Sequence, residues 1–234
     1  FISGPSSKRL KIAVGLKTAD GMSAEADVLD VIRQTAERCK LMGHEVVELD
    51  CLPYHAESYL DQFTSMLSIM ATRMAGQFEE SFGRAVADGD FEKVSMHYLH
   101  TMPENPEAEL ARLMETAQTI SDSIDRIFES YDLILTPSVP VVAKDVTNRA
   151  LDNDLASLLD AGRCDVTFMA MVNTTGHPAV NVPAGFSPAG LPVGAQFIAA
   201  KGAEDTLFSI AYELEDELSW SSHWPPISAA FAGS

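Results

Sequence analysis

Histidine, cysteine and one buried-looking amide are the side chains of this chain whose chemistry goes beyond packing, and spacing limits what each can do. The three cysteines, Cys39, Cys51 and Cys164, show neither CxxC pairing nor zinc-like spacing. Cys39 falls on the apolar face of an expected helix and reads as a core thiol. Cys51 follows a strand and Cys164 sits beside a Gly-Arg turn, so either could reach solvent, but neither has a histidine near it in sequence. His97 and His100 lie close together with no carboxylate or third ligand at matching spacing, and no metal site is expected there. His177 precedes Pro178 in a turn, with no Ser or Asp pattern around it, and reads as structural or solvent-facing. Gln196 stands among apolar neighbours in an expected strand. Buried there, its amide needs partners, and it either ties two segments together or touches a substrate.

The elements that must position these residues follow from periodicity and punctuation. Leu10 to Leu16 is a short apolar strand. Ser23 offers an N-cap oxygen, with Glu25 and Asp27 placed for the positive end of a helix dipole. Val28, Ile32, Cys39 and Met42 repeat at helical spacing, and Gly43 stops the helix. Glu45 to Leu49 is a second strand, so the opening reads as a βαβ unit with parallel strands. Further on, Phe63, Met66, Met70, Met74, Phe78 and Phe82 form an apolar helical stripe, with bends expected at Gly76 and Gly83. The stripe reads as core packing or as a pliable wall for an apolar substrate, since thioethers adapt to irregular shapes.

Asn105-Pro106-Glu107 starts another helix, which runs through Leu113, Ile120 and Ile124 to about Ser130. Tyr131 to Thr136 is a buried strand halted by Pro137. After a polar stretch with a helical patch from Leu151 to Leu159, Phe168 to Val172 makes one or two helical turns. Gly176 and Pro178 convert that helix into a strand, Val180 to Val182, and Gly185 and Gly190 turn it towards Val193 to Ile198. A last helix opens at Glu204-Asp205, and a Trp- and Pro-rich tail, Trp220 to Pro226, is expected on the surface. One α/β domain with a mixed, largely parallel sheet flanked by helices is the economical reading.

The net charge of −18 argues against binding a phosphate backbone, so no nucleic-acid partner is expected, and it favours a neutral or cationic substrate. No run is apolar and long enough to span a bilayer. The first residues lack the apolar block of a secretory signal, and the odd cysteine count suggests a reducing, cytoplasmic setting.

The order Phe168, Asn173, Thr175, Gly176, Pro178, Ala179, Pro183, Gly185, continued by Gly190-Leu-Pro-Val-Gly194 and Gln196, resembles the C-terminal half of the amidase signature family, amide hydrolases with a Ser-Ser-Lys triad. The opening strand-helix-strand, Tyr131-Asp-Leu-Ile-Leu-Thr-Pro-Ser-Val-Pro140 and the acidic last helix are similar to family segments as well, so the resemblance covers nearly the whole chain. Met169 departs from it, standing where the family usually has Thr. The resemblance implies the C-terminal part of the amidase signature fold and cleavage of a C–N amide bond through a seryl acyl-enzyme, without metal or organic cofactor. It also implies a glycine-flanked Ser-Ser loop and an upstream Lys, because a weakly acidic hydroxyl needs a base and the oxyanion needs close backbone N–H donors.

Nothing in the sequence matches that loop. Ser6-Ser7, with Lys8 beside it, and Ser221-Ser222 lack glycine-rich flanks and read as coil. The expectation is therefore a chain with no catalytic residue of its own, inactive alone, forming a supporting shell for a small-molecule amide. Thr136 and Ser138 lie at the C-terminal end of a strand, where open α/β sheets place ligands. Phe168 and Met171 are expected to flank the same crevice, and Met66 and Met70 to supply an apolar lid. Asn173, Gly176, Pro178 and Gln196 are the structural motif, with Asn173 bracing the turn. The rival reading is a non-catalytic binding or scaffolding module, or a subunit completed by another chain. A sheet lacking its neighbours should expose an edge, which points to a homodimer or to association with a missing N-terminal half.

Overall fold

The computed structural model describes residues 4–149 and 153–222. Strand β1 (Lys11–Val14), helix α1 (Ala26–Leu41) and strand β2 (Glu45–Glu48) form the expected βαβ unit, with β1 and β2 parallel. Helices α2 (Ala56–Phe82), α3 (Lys93–His100) and α4 (Pro106–Phe128) lead to strand β3 (Leu133–Pro137), which returns parallel to β1. Helices α5 (Leu155–Asp165) and α6 (Thr167–Thr175) precede the hairpin of strands β4 (Ala179–Phe186) and β5 (Pro192–Ala199), and α7 (Glu204–Leu218) closes the order.

The five strands lie in the order β2-β1-β3-β5-β4. β5 is antiparallel to both β3 and β4, so the other four strands point the same way and their C-terminal ends share one rim. Alternation along the strands then sorts the side chains into two layers. Ile12, Val14, Leu133, Leu135, Val182, Ala195 and Phe197 face α1 and α7. Ala13, Ile134 and Ile198 face α2, α4 and α6, where Tyr59, Leu113, Ile124, Phe168 and Met171 fill the space.

Local punctuation works where it is self-contained. Asn105 Oδ1 accepts from the Ala108 N–H at 3.1 Å, with Pro106 in the first turn, and the helix begins there. Other expectations give way to tertiary contacts. Ser23 does not cap α1; its hydroxyl donates to Leu16 O at 2.9 Å, and Glu25 takes the cap position. Of the two glycines where bends were expected, Gly76 lies inside an unbroken α2, and Gly83, in the left-handed conformation, ends the helix after Phe82. The Met-rich stripe is core only in part, with Met66 packed against the second layer. α2 buries Tyr59, Leu60, Ile69 and Ala75, while Met70, Met74 and Phe82 are at least half exposed. The helical patch after the polar stretch begins at Leu155; Leu151, the side chain of Cys164 and the tail from residue 223 lie outside the described residues.

Candidate functional site

The strand rim gathers the polar residues. Register aligns Asn181 on β4, Gln196 on β5 and Thr136 on β3 across one face of the sheet. Gln196 Nε2 donates to Thr136 Oγ1 at 3.0 Å, and both residues are buried. Ser138, just beyond β3 and 7% exposed, donates its hydroxyl to Asn181 Oδ1. Gln196 thus ties β5 to β3, one of the two roles its apolar setting suggested. A cleft of about 270 Å³ opens beside this rim, walled by Val139, Val141, Val142, Pro192 and Gly194, with Lys144 and Asp165 at its border.

Two of the expected crevice residues sit elsewhere. Phe168 and Met171 are fully buried between α6 and the sheet. Tyr54 Oη donates to Thr167 O at 2.9 Å, and Tyr59 Oη donates to Ala170 O at 3.1 Å and bonds Thr174 Oγ1, so two tyrosines pin α6 down. Burial raises the pKa of both phenols, which keeps them protonated as donors. Met66 is half-buried against the same core, and Met70 is exposed on α2.

The turn after α6 is built as its residues require. Gly176 has φ +72° and its N–H bonds Val172 O at 3.1 Å, while Pro178 O accepts from the Ala199 N–H at 3.0 Å. Asn173 is exposed, and its side chain makes no hydrogen bond among the described residues. The brace is His177, whose side chain is 1% exposed. Its Nε2 faces Asp125 Oδ1 on α4 at 3.0 Å, and its Nδ1 meets Thr175 Oγ1 at 2.9 Å. Opposite a carboxylate Nε2 carries hydrogen and donates to Asp125 Oδ1. His177 is therefore structural and not solvent-facing. Its acid partner lies far back in the sequence, beyond the reach of any local pattern.

Beside this pair Lys201 Nζ donates to Ser121 Oγ at 2.6 Å and lies 3.8 Å from Asp125 Oδ2. A serine and a lysine in contact invite comparison with a hydrolytic site. Ser121, however, is 3% exposed inside α4, whose backbone N–H groups are spent on the helix, and Lys201 also serves a carboxylate. No oxyanion cradle adjoins them among the described residues, and the arrangement does the work of a tether between α4 and the β5–α7 loop.

Asn181 was missed by local pattern, although a signal for it exists. In Val180-Asn-Val182 the alternation sends the valines to one face and the amide to the other, at the rim where Thr136 and Ser138 were expected to act.

A model of the Amidase family matches residues 3–208. The chain belongs to the amidase family. It is 28% identical over 228 residues to the putative amidase AmiC of Mycobacterium bovis, covering 97% of this chain and 47% of that protein. It is 29% identical over 236 residues to a glutamyl-tRNA(Gln) amidotransferase subunit of Helicobacter pylori, covering 90% of this chain and 48% of the relative. Among solved structures, 6-aminohexanoate cyclic dimer hydrolase in complex with substrate superposes with a TM-score of 0.84 at 23% identity, over 95% of this chain and 48% of that one. A bacterial aryl acylamidase of the amidase signature family gives 0.76 at 20% identity, over 92% of this chain and 44% of that one. These structures share the α/β fold with its helix-flanked mixed sheet. The chain spans about half the length of the curated relatives it matches.

Proposed function

We propose that this chain forms the C-terminal portion of one α/β amidase domain, which hydrolyses a C–N amide bond through a seryl acyl-enzyme whose Ser-Ser-Lys residues lie on polypeptide outside it. The observation that carries this reading is a pairing of two facts. The relatives are matched over only 47–48% of their length, and the sequence contains no glycine-flanked serine pair. In this reading Thr136, Ser138 and Gln196 build the polar floor at the strand rim. Met66 and Met70 add an adaptable apolar wall, which suits a neutral amide approaching a chain of net charge −18. No metal or organic cofactor takes part.

The sheet edges support a partner at β4. The opposite edge, β2, is short and carries Glu45 and Glu48, charges that discourage further pairing. β4 has eight residues without a charge and ends in Phe186, 59% exposed. A complementary catalytic half is the proposed occupant of this edge, and a second copy of the chain is the competing one, opposed by the charge the two copies share.

The test is an assay of the 234-residue chain on linear and cyclic amides, reading release of ammonia or amine. No turnover is expected from the chain alone, and turnover is expected once it is joined to a half bearing the Ser-Ser-Lys residues. Hydrolysis by the isolated chain that survives Ser6→Ala and Ser7→Ala together would overturn the assignment of catalysis to other polypeptide.

A further inference from the structure

β4 is covered on one face only. Val182 and Ala184 turn into the layer of α1 and α7, while Ala179, Asn181 and Pro183 are exposed on the other side. Asn181 is the polar member of that bare row, and two contacts hold it. Its amide lies flat on Gly194: a Cβ at that glycine would stand 2.5 Å from Asn181 Oδ1, 2.8 Å from Nδ2 and 3.0 Å from Cγ. Real Cβ atoms do not approach so closely, so glycine alone leaves the space the amide occupies. From the side, the buried Ser138 hydroxyl donates to Oδ1 and engages the acceptor end. The remaining end is Nδ2, with two hydrogens and no protein acceptor among the described residues.

An exposed asparagine with no task rotates freely and gains nothing from a glycine beneath it or a buried hydroxyl beside it. Fixing the amide beforehand removes an entropy cost that a ligand would otherwise meet on binding. The exposed end is a pure donor, so its complement is an oxygen acceptor. The charge of −18 disfavours a carboxylate and leaves a neutral carbonyl as the matching group. Register puts this donor in line with Gln196 and Thr136, at the rim already proposed to hold substrate.

Resting on the amide-hydrolase reading above, we infer that Asn181 is a specificity-determining residue: pinned by Gly194 and Ser138, it directs Nδ2 to a neutral carbonyl oxygen of the amide substrate.

The test is titration of the nitrogen-15-labelled 234-residue chain with N-methylacetamide, a probe with one carbonyl acceptor, followed at the Asn181 side-chain NH₂ and the Gly194 backbone amide. A saturable shift at both is expected. Binding should weaken roughly three- to tenfold in Asn181→Leu (read at Gly194) and in Ser138→Ala, the loss of about one neutral hydrogen bond. Acetate at equal concentration should shift these signals less. Shifts that rise linearly without saturation, or equal binding by Asn181→Leu in a chain whose backbone spectrum is otherwise native, would overturn the inference. The hydrolytic reading is tested apart from this one, in the protein joined to a Ser-Ser-Lys half. Absence of wild-type turnover there removes the reaction and leaves the titration result standing. Turnover with KM raised and kcat kept in Asn181→Leu supports both, and unchanged KM counts against Asn181.

Discussion

His177 Nε2 stands 3.0 Å from Asp125 Oδ1, joining the turn between α6 and β4 to helix α4 across 52 residues of sequence. Burial pushes the Asp125 carboxyl up, but the hydrogen bond and charge of His177, the nearby Lys201 and the Ser121 hydroxyl outweigh it and hold the group below the usual carboxylate range. A lowered native pKa means that the unfolded state binds more protons in acid. The pair's contribution is then complete above about pH 4 and is lost as the pH falls through the lower native value. Asp125 is half exposed, so screening keeps the effect small. Asp125→Asn should cost about 1 kcal/mol at pH 7 and less at pH 3. Urea unfolding at the two pH values checks this; equal deficits at both would show that the carboxylate charge is irrelevant.

His44 should make the fold acid-sensitive at a higher pH. Its side chain is wholly buried, Leu10 N–H donates to Nδ1 at 3.0 Å, and Nε2 faces Glu213 Oε2 at 3.1 Å. Nδ1 is thus an acceptor and the ring is neutral. Burial lowers the His44 pKa; Glu213 opposes this and Arg9 reinforces it, leaving the net shift downward. The unfolded state takes up a proton near pH 6.5 that the native state refuses, so stability is full above that pH and declines as it falls towards the native value. Unfolding free energy measured from about pH 7.5 to 5 should drop in the wild type and stay flatter in His44→Gln, which keeps an acceptor and a donor. Parallel profiles would assign the acid sensitivity elsewhere.

Gly15 is expected to tolerate no side chain. A Cβ there would stand 2.4 Å from Leu52 Cδ2 and 2.7 Å from its Cγ, and Leu52 is fully buried. The isobutyl group has no open space to enter, so Gly15→Ala should destabilise by about 1–3 kcal/mol. Gly15→Ala and Leu52→Ala combined should cost less than the sum of the two single changes, since they share one space. A Gly15→Ala protein as stable as the wild type in chemical denaturation would show that the β1 rim is looser than its packing indicates.

Thiol reactivity should separate two cysteines. Cys39 is fully buried, and burial together with the charge of Glu213 pushes its thiol up to about 12, whereas Cys51 is half-buried. Since the thiolate is the nucleophile, Cys39 should resist a maleimide at about pH 8 in the native state and react only on unfolding. Labelling followed by peptide mass mapping reads this directly, and rapid native labelling of Cys39 would mean that α1 opens readily.

Elements whose signals are short in range were legible before the fold was known. Asn105, Pro106 and the acidic residues after them start α4 because capping is settled within one turn, and Gly176 ends α6 because a left-handed residue is required there. The strands of the opening unit and the hairpin also followed from short apolar runs between glycines and prolines. Periodicity was a weaker guide to orientation. The Met66, Met70, Met74 stripe marks a helix correctly, yet a repeat cannot say how much of it meets the core: Met66 packs against the layer holding Tyr59 and Leu60, while Met70 and Met74 are exposed.

Sequence by itself determined the family and the order of α and β elements, because both reside in motifs whose residues act on their neighbours. Tertiary structure alone decided who meets whom. It turned Ser23 from a cap to a strand-end contact, enclosed Phe168 and Met171, gave His177 an acid 52 positions away and set Asn181 on Gly194 beside Ser138. The Asn181 contacts depend on inserting β5 between β3 and β4, and strand order is chosen by burial summed over both faces of the sheet, a quantity that no short window of residues contains.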